Sequence, residues 1–230
     1  MICLEGKVVL HKIEVMGKAI KGLNVLCKHQ PDMFDMILGH EEYKIAIEAA
    51  DGIEEKLKNV FWNVLADDYH WEFINGEIVL RCGLTITAAV AKQNLQMKLW
   101  EFVKRNKIGE VFGGRCICDF EDNFFSPDIT YYEDNRVKDF YNEMNRFPVP
   151  DFIIEFNDEN TEENNRGIKF EQYERKGVKE YWMVNVEKKT VEQYLLVKET
   201  FDFMGLIKTG TIKSEVVKAF ELPIEDIFER

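Results

Sequence analysis

The chain has 230 residues, 46% of them hydrophobic and 13% aromatic, which supports a packed core and excludes a disordered chain. Its 30 lysines and arginines stand against 42 acids, a net charge of −12. That balance excludes indiscriminate binding of nucleic acid by phosphate neutralisation, but not a nuclease whose metal-holding carboxylates add negative charge. Five cysteines (Cys3, Cys27, Cys82, Cys116, Cys118), odd in number and without CxxC spacing, argue against a disulfide framework or a structural zinc site. No secretory leader is read among the first residues, where Glu5, Lys7, His11 and Lys12 interrupt any apolar run. The stretch from Cys82 to Ala91 carries no charge but is too short to span a bilayer. The expectation is a cytoplasmic protein with no membrane partner.

Residues 1–58 read as an N-terminal extension of unknown role, with a strand expected near Lys7–Val15 and helix-type composition over Glu41–Leu57. The segment 59–230 reads as the main domain. Trp71–Leu80 predicts a hairpin, because Asn75-Gly76 supplies the two positive-φ residues of a type I′ turn. Thr85 or Thr87 then caps a helix through about Arg105. Ala91, Leu95, Leu99, Phe102 and Val103 would form its buried stripe, with Lys92, Lys98, Lys104 and Arg105 solvated. Gly109 would close that unit. Glu110–Phe120 reads as a strand bent at Gly113-Gly114.

Next come a strand opening on Pro127-Asp128, a short helix or loop over Arg136–Asn145, and the strand Asp151–Phe156, apolar on both faces as a central strand should be. After a polar loop with Thr161 as a cap, one helix is expected from about Glu163 to Lys176, stopped at Gly177. Strands follow at Tyr181–Val186, Val191–Val197, Phe201–Ile207 and Thr211–Val217, and the tail Phe220–Phe228 docks on the core. The apolar strands near the C-terminus and the N-terminal piece leave room for a homodimer.

All four histidines lie before Trp71, so chemistry in the main domain must use carboxylates, lysine, tyrosine or cysteine. Asp128 and Glu155 each interrupt a strand that should be buried, where an ionised carboxylate needs a partner or a metal. Two such acids at the ends of neighbouring strands, with the Phe156 carbonyl, can offer hard oxygen ligands to a divalent ion. Lys169 on the following helix is a fitting cation to activate water or stabilise a phosphate in the transition state. Plainer roles stay open for each: a turn cap for Asp128, a water-facing edge for Glu155, and a solvated position for Lys169 beside Arg166, Arg175 and Lys176.

The segments Trp71–Val79, Ser126-Pro127-Asp128-Ile129, Pro150–Phe156, Arg166-Gly167-Ile168-Lys169, Tyr173, Gly177–Trp182 and Phe220-Glu221-Leu222 occur in an order that resembles the Uma2 (DUF820) family of the PD-(D/E)XK nuclease superfamily. The resemblance implies an α+β fold with a central mixed β-sheet flanked by helices, and a metal-dependent endonuclease acting on DNA. It implies Mg²⁺ or Mn²⁺ held by Asp128, Glu155 and the Phe156 carbonyl, with Asp128, Glu155 and Lys169 as catalytic residues. The superfamily's usual lysine position, two residues after the second acid, is Asn157 here, and Asn165 stands where the family often has Asp. A catalytically inactive nuclease fold acting as a binding or assembly module is the alternative.

Overall fold

The computed structural model describes Lys58 and residues 71–80, 84–114, 116–157 and 161–230. The expected extension over 1–58, apart from Lys58, and its strand and helix lie outside the described residues. The chain divides into two compact units, Met1–Cys82 with Glu121–Phe124, and Gly83–Phe120 with Phe125–Arg230.

In the first unit, β1 (Trp71–Ile74) and β2 (Glu77–Leu80) form the expected hairpin. Asn75 and Gly76 adopt φ of 49° and 79°, the left-handed pair that the turn requires. The Asn75 amide donates to Asn123 Oδ1, and Phe73 pairs with Phe124.

The second unit begins with α1 (Ile86–Asn106), capped as expected by Thr85, whose hydroxyl accepts from the Ala88 amide. Its buried face is Ala88, Ala91, Leu95, Leu99 and Val103, with Phe102 only partly buried. Lys107, not Gly109, takes the left-handed position that ends the helix, at φ 54°. Gly109 instead starts β3 (Gly109–Gly113), where the carbonyl of Tyr132 passes too close for any Cβ. The single strand expected over Glu110–Phe120 is two, β3 and β4 (Ile117–Asp119), with Gly114 at φ 84° between them. The chain continues through β5 (Phe124–Phe125), β6 (Ile129–Glu133), α2 (Asp134–Val137), β7 (Arg146–Phe147) and β8 (Phe152–Asn157).

The helix expected over Glu163–Lys176 is broken into α3 (Glu162–Arg166) and α4 (Ile168–Arg175). Gly167, at φ −97° and ψ −110°, leaves helical geometry, and its position next to the Glu163 carbonyl leaves little space for a side chain. Gly177 is the left-handed stop, at φ 82°. Then come β9 (Glu180–Asn185), β10 (Thr190–Val197), β11 (Thr200–Ile207), β12 (Thr211–Lys213), β13 (Glu221–Pro223) and α5 (Ile224–Phe228).

The main sheet has six strands in the order β11-β10-β9-β8-β6-β3. It is mixed, since β8 and β9 run parallel while the other neighbours are antiparallel. With its helices this is the expected α+β core. Alternation along β8 sorts its side chains to two faces. Phe152, Ile154 and Phe156 join Trp182, Val184 and the buried stripe of α1 in the apolar core, and Ile224 and Ile227 of α5 dock there as expected. Ile153, Glu155 and Asn157 leave the opposite face, toward α3 and α4. No described helix is long and apolar enough to cross a membrane.

Candidate active site

Asp128 and Glu155 face each other across two strands. Ile129 pairs with Ile154, so one further step of the antiparallel register brings Asp128 opposite Glu155. Side chains opposed in this way leave the same face, about 5 Å apart at Cβ. Both acids are almost wholly buried. Asp128 sits just before β6, where its Oδ2 accepts the Phe156 amide at 2.8 Å, a side chain standing in for the next rung of the ladder.

Glu155 is held from α4. Its Oε1 accepts from Lys169 Nζ at 2.9 Å and from the Tyr173 hydroxyl at 2.8 Å. Lys169 and Tyr173 are four residues apart and so share one helix face. Lys169 is buried like its partner, with its ammonium 5.8 Å from the centre of the Phe125 ring. The plainer readings, a solvated lysine and a water-facing glutamate, therefore do not describe these side chains.

Lys92 departs from the expectation of a solvated lysine. Its ammonium lies 3.0 Å from Asp128 Oδ1, and its side chain is 13% exposed. The spacing explains why: Lys92 follows the buried Ala88 by four residues and precedes the buried Leu95 by three, so it belongs to the inward stripe. α1 packs on the face of the sheet opposite to α4. The two lysines thus approach the two acids from opposite sides, one ion pair to each acid.

Asn157, two residues after Glu155, accepts from Asn165 Nδ2 at 2.7 Å. The remaining amide atoms, Asn157 Nδ2 and Asn165 Oδ1, are buried without a hydrogen-bond partner. Burial pushes the Tyr181 hydroxyl well above its ordinary pKa, and the charges of Glu155 and Asp128 add to that effect. Tyr181 donates to the Asn165 carbonyl, so α3 is tied to the sheet beside the acids.

Among the described residues no three His, Cys, Asp or Glu side chains gather to hold a metal. The donors available are the two carboxylates and the Phe156 carbonyl, which now accepts the Thr161 hydroxyl at 3.2 Å. Three hard oxygens suit Mg²⁺ or Mn²⁺, which keep several waters and share substrate phosphates. The donor set fits such an ion.

A family model for Uma2, described as "Putative restriction endonuclease", matches residues 60–224. The chain belongs to the Uma2 family. A crystal structure described as a "putative nuclease belonging to DUF820", from Anabaena variabilis ATCC 29413, superposes with a TM-score of 0.64 at 18% identity. The match covers 78% of this chain and 98% of that one, and it establishes a shared fold. No curated protein matches the chain. The Uma2 segments quoted from the sequence include Asp128, Glu155, Phe156 and Lys169, and the structure sets Asp128 opposite Glu155 and Lys169 on Glu155. Sequence reasoning missed Lys92, whose helical spacing was the available signal, and the hydroxyl of Tyr173, whose signal was its distance of four residues from Lys169.

Proposed function

We propose that the chain is a metal-dependent endonuclease that hydrolyses phosphodiester bonds of DNA. The observation that carries this reading is the register of β6 and β8, which sets two buried carboxylates side by side and within reach of a buried lysine. Asp128, Glu155 and the Phe156 carbonyl would hold Mg²⁺ or Mn²⁺. Such an ion, when bound, lowers the pKa of a water and offsets charge on the phosphate. Lys169 orients Glu155, and it supplies fixed positive charge beside the acid as negative charge builds on the phosphate. Tyr173 holds the same carboxylate in place. Asn157 cannot carry that charge, so Lys169 takes the role from the helix. The overall negative charge makes binding depend on local contacts at the site.

The test is cleavage of plasmid DNA by pure protein with Mg²⁺ or Mn²⁺. Cleavage that is lost in Asp128→Ala and Lys169→Ala supports the reading. No cleavage of DNA or RNA under these conditions overturns it. The second reading, a nuclease fold kept as a binding or assembly module, is favoured by one observation: each acid is already neutralised by a lysine. Tight Mn²⁺ binding that disappears in Glu155→Gln would count against it.

A further inference from the structure

We propose that Lys92 is an exchangeable counter-ion of the site: it holds Asp128 until a divalent cation binds, then turns into the groove along α1 to meet a phosphate of the nucleic acid. This rests on the metal-dependent nuclease reading above and assigns that site a second cation.

The two lysines are matched in charge but not in surroundings. Lys169 is sealed, with its side chain 1% exposed, and its ammonium lies between Glu155 and the Phe125 ring. Lys92 is 13% exposed against 2% for Asp128. Its side chain also lines an open groove with Gln93, Gln96, Met97 and Trp100. Of this pair, Lys92 lines that groove and Lys169 does not. A lysine suits exchange, being a compact charge on a flexible four-carbon stem.

Charge favours such a movement. With both lysines in place, Asp128 and Glu155 each already have a cation beside them. A divalent ion held by the same acids would bring two further positive charges close to both lysines in a buried place, where like charges repel strongly. Lys92 relieves this by giving up Asp128. Its ammonium then faces the groove, where the substrate's phosphates bring the negative charge it has lost.

The test compares Mn²⁺ affinity by calorimetry, without nucleic acid, in the wild-type protein, Lys92→Met and Lys92→Arg. Lys92→Met removes the competing charge and keeps the stem, so Mn²⁺ should bind at least fivefold more tightly. Lys92→Arg grips Asp128 with a fork and should bind Mn²⁺ several-fold more weakly than wild type. DNA affinity, measured with a non-cleavable phosphorothioate duplex and Mn²⁺, should fall in Lys92→Met. Removing a lysine that never leaves Asp128 would also tighten Mn²⁺ binding, so the fall in DNA affinity is what marks exchange, and unchanged DNA affinity in Lys92→Met overturns the proposal. Unchanged or weaker Mn²⁺ binding in Lys92→Met overturns the proposal. Should that variant not fold, unchanged binding in Lys92→Arg does the same. A wild-type protein that binds no Mn²⁺ overturns the nuclease reading and this proposal together, whereas normal wild-type binding with insensitive variants overturns this proposal alone.

Discussion

Tyr173 and Lys169, one turn apart on α4, converge on a single oxygen of Glu155. The phenol holds the carboxylate in place and the ammonium neutralises it. The Tyr173 ring also packs on Phe120, Phe125 and Tyr181, so its position does not depend on the hydroxyl. Tyr173→Phe should therefore fold, at a cost of about 1 kcal/mol for one lost hydrogen bond. Looser placement of Glu155 should slow DNA cleavage by roughly tenfold to a hundredfold. Urea denaturation and initial cleavage rates check the two effects.

Lys169→Met removes the cation that pairs with buried Glu155, which should cost about 3–5 kcal/mol. The double substitution Glu155→Met with Lys169→Met removes both charges. It should recover most of that loss while remaining inactive on DNA. Denaturation midpoints of the three proteins decide it, and a double variant no more stable than Lys169→Met would refute the account.

Arg166 of α3 reaches across to Glu192 of β10, with Nη1 2.9 Å from Oε2. Hydrogen bonds from Arg166 hold the Glu192 carboxyl below its usual range. A carboxylate depressed in the folded state adds stability above its unfolded pKa, and that stability is lost as pH falls through the folded value. The stability difference between wild type and Glu192→Gln should be present at neutral pH and shrink below about pH 4. Thermal denaturation across that range measures it.

Glu180 behaves in the opposite sense. Burial pushes its carboxyl above the usual range, against five donors: Trp182 Nε1, Gln193 Nε2, Ser214 Oγ and the amides of Glu215 and Val216. A raised acid binds its proton more readily when folded, so its contribution favours folding below the raised pKa and declines as pH rises through it. Glu180→Gln should remove this pH dependence. It also turns an amide toward donors that need an acceptor, at a cost on the order of 3 kcal/mol. Denaturation at several pH values tests both.

Much of the fold was legible because local rules and tertiary packing agree in it. The Asn75-Gly76 turn, the Thr85 cap, the Gly177 stop and the doubly buried β8 each follow from a few neighbouring residues. Residue type and position disagree at two places. Lysines are usually solvated, but the spacing of Lys92 from Ala88 and Leu95 sets it on the buried stripe. Gly167 lies inside a helix-like run, but its backbone sits where the chain turns between α3 and α4. The pairing of Asn157 with Asn165 was not visible at all, since it depends on how α3 folds back over β8.

The register between β6 and β8 also acts as a check on folding itself. A slip of one residue would turn Asp128 or Glu155 toward the core that holds Ile154, Tyr131 and Trp182. There a flipped Glu155 would lose Lys169 and Tyr173, and burying its charge among apolar side chains would be costly. The two buried acids thus also proofread the sheet's assembly: a molecule that has paired these strands wrongly is rejected by the cost of the charges it has misplaced.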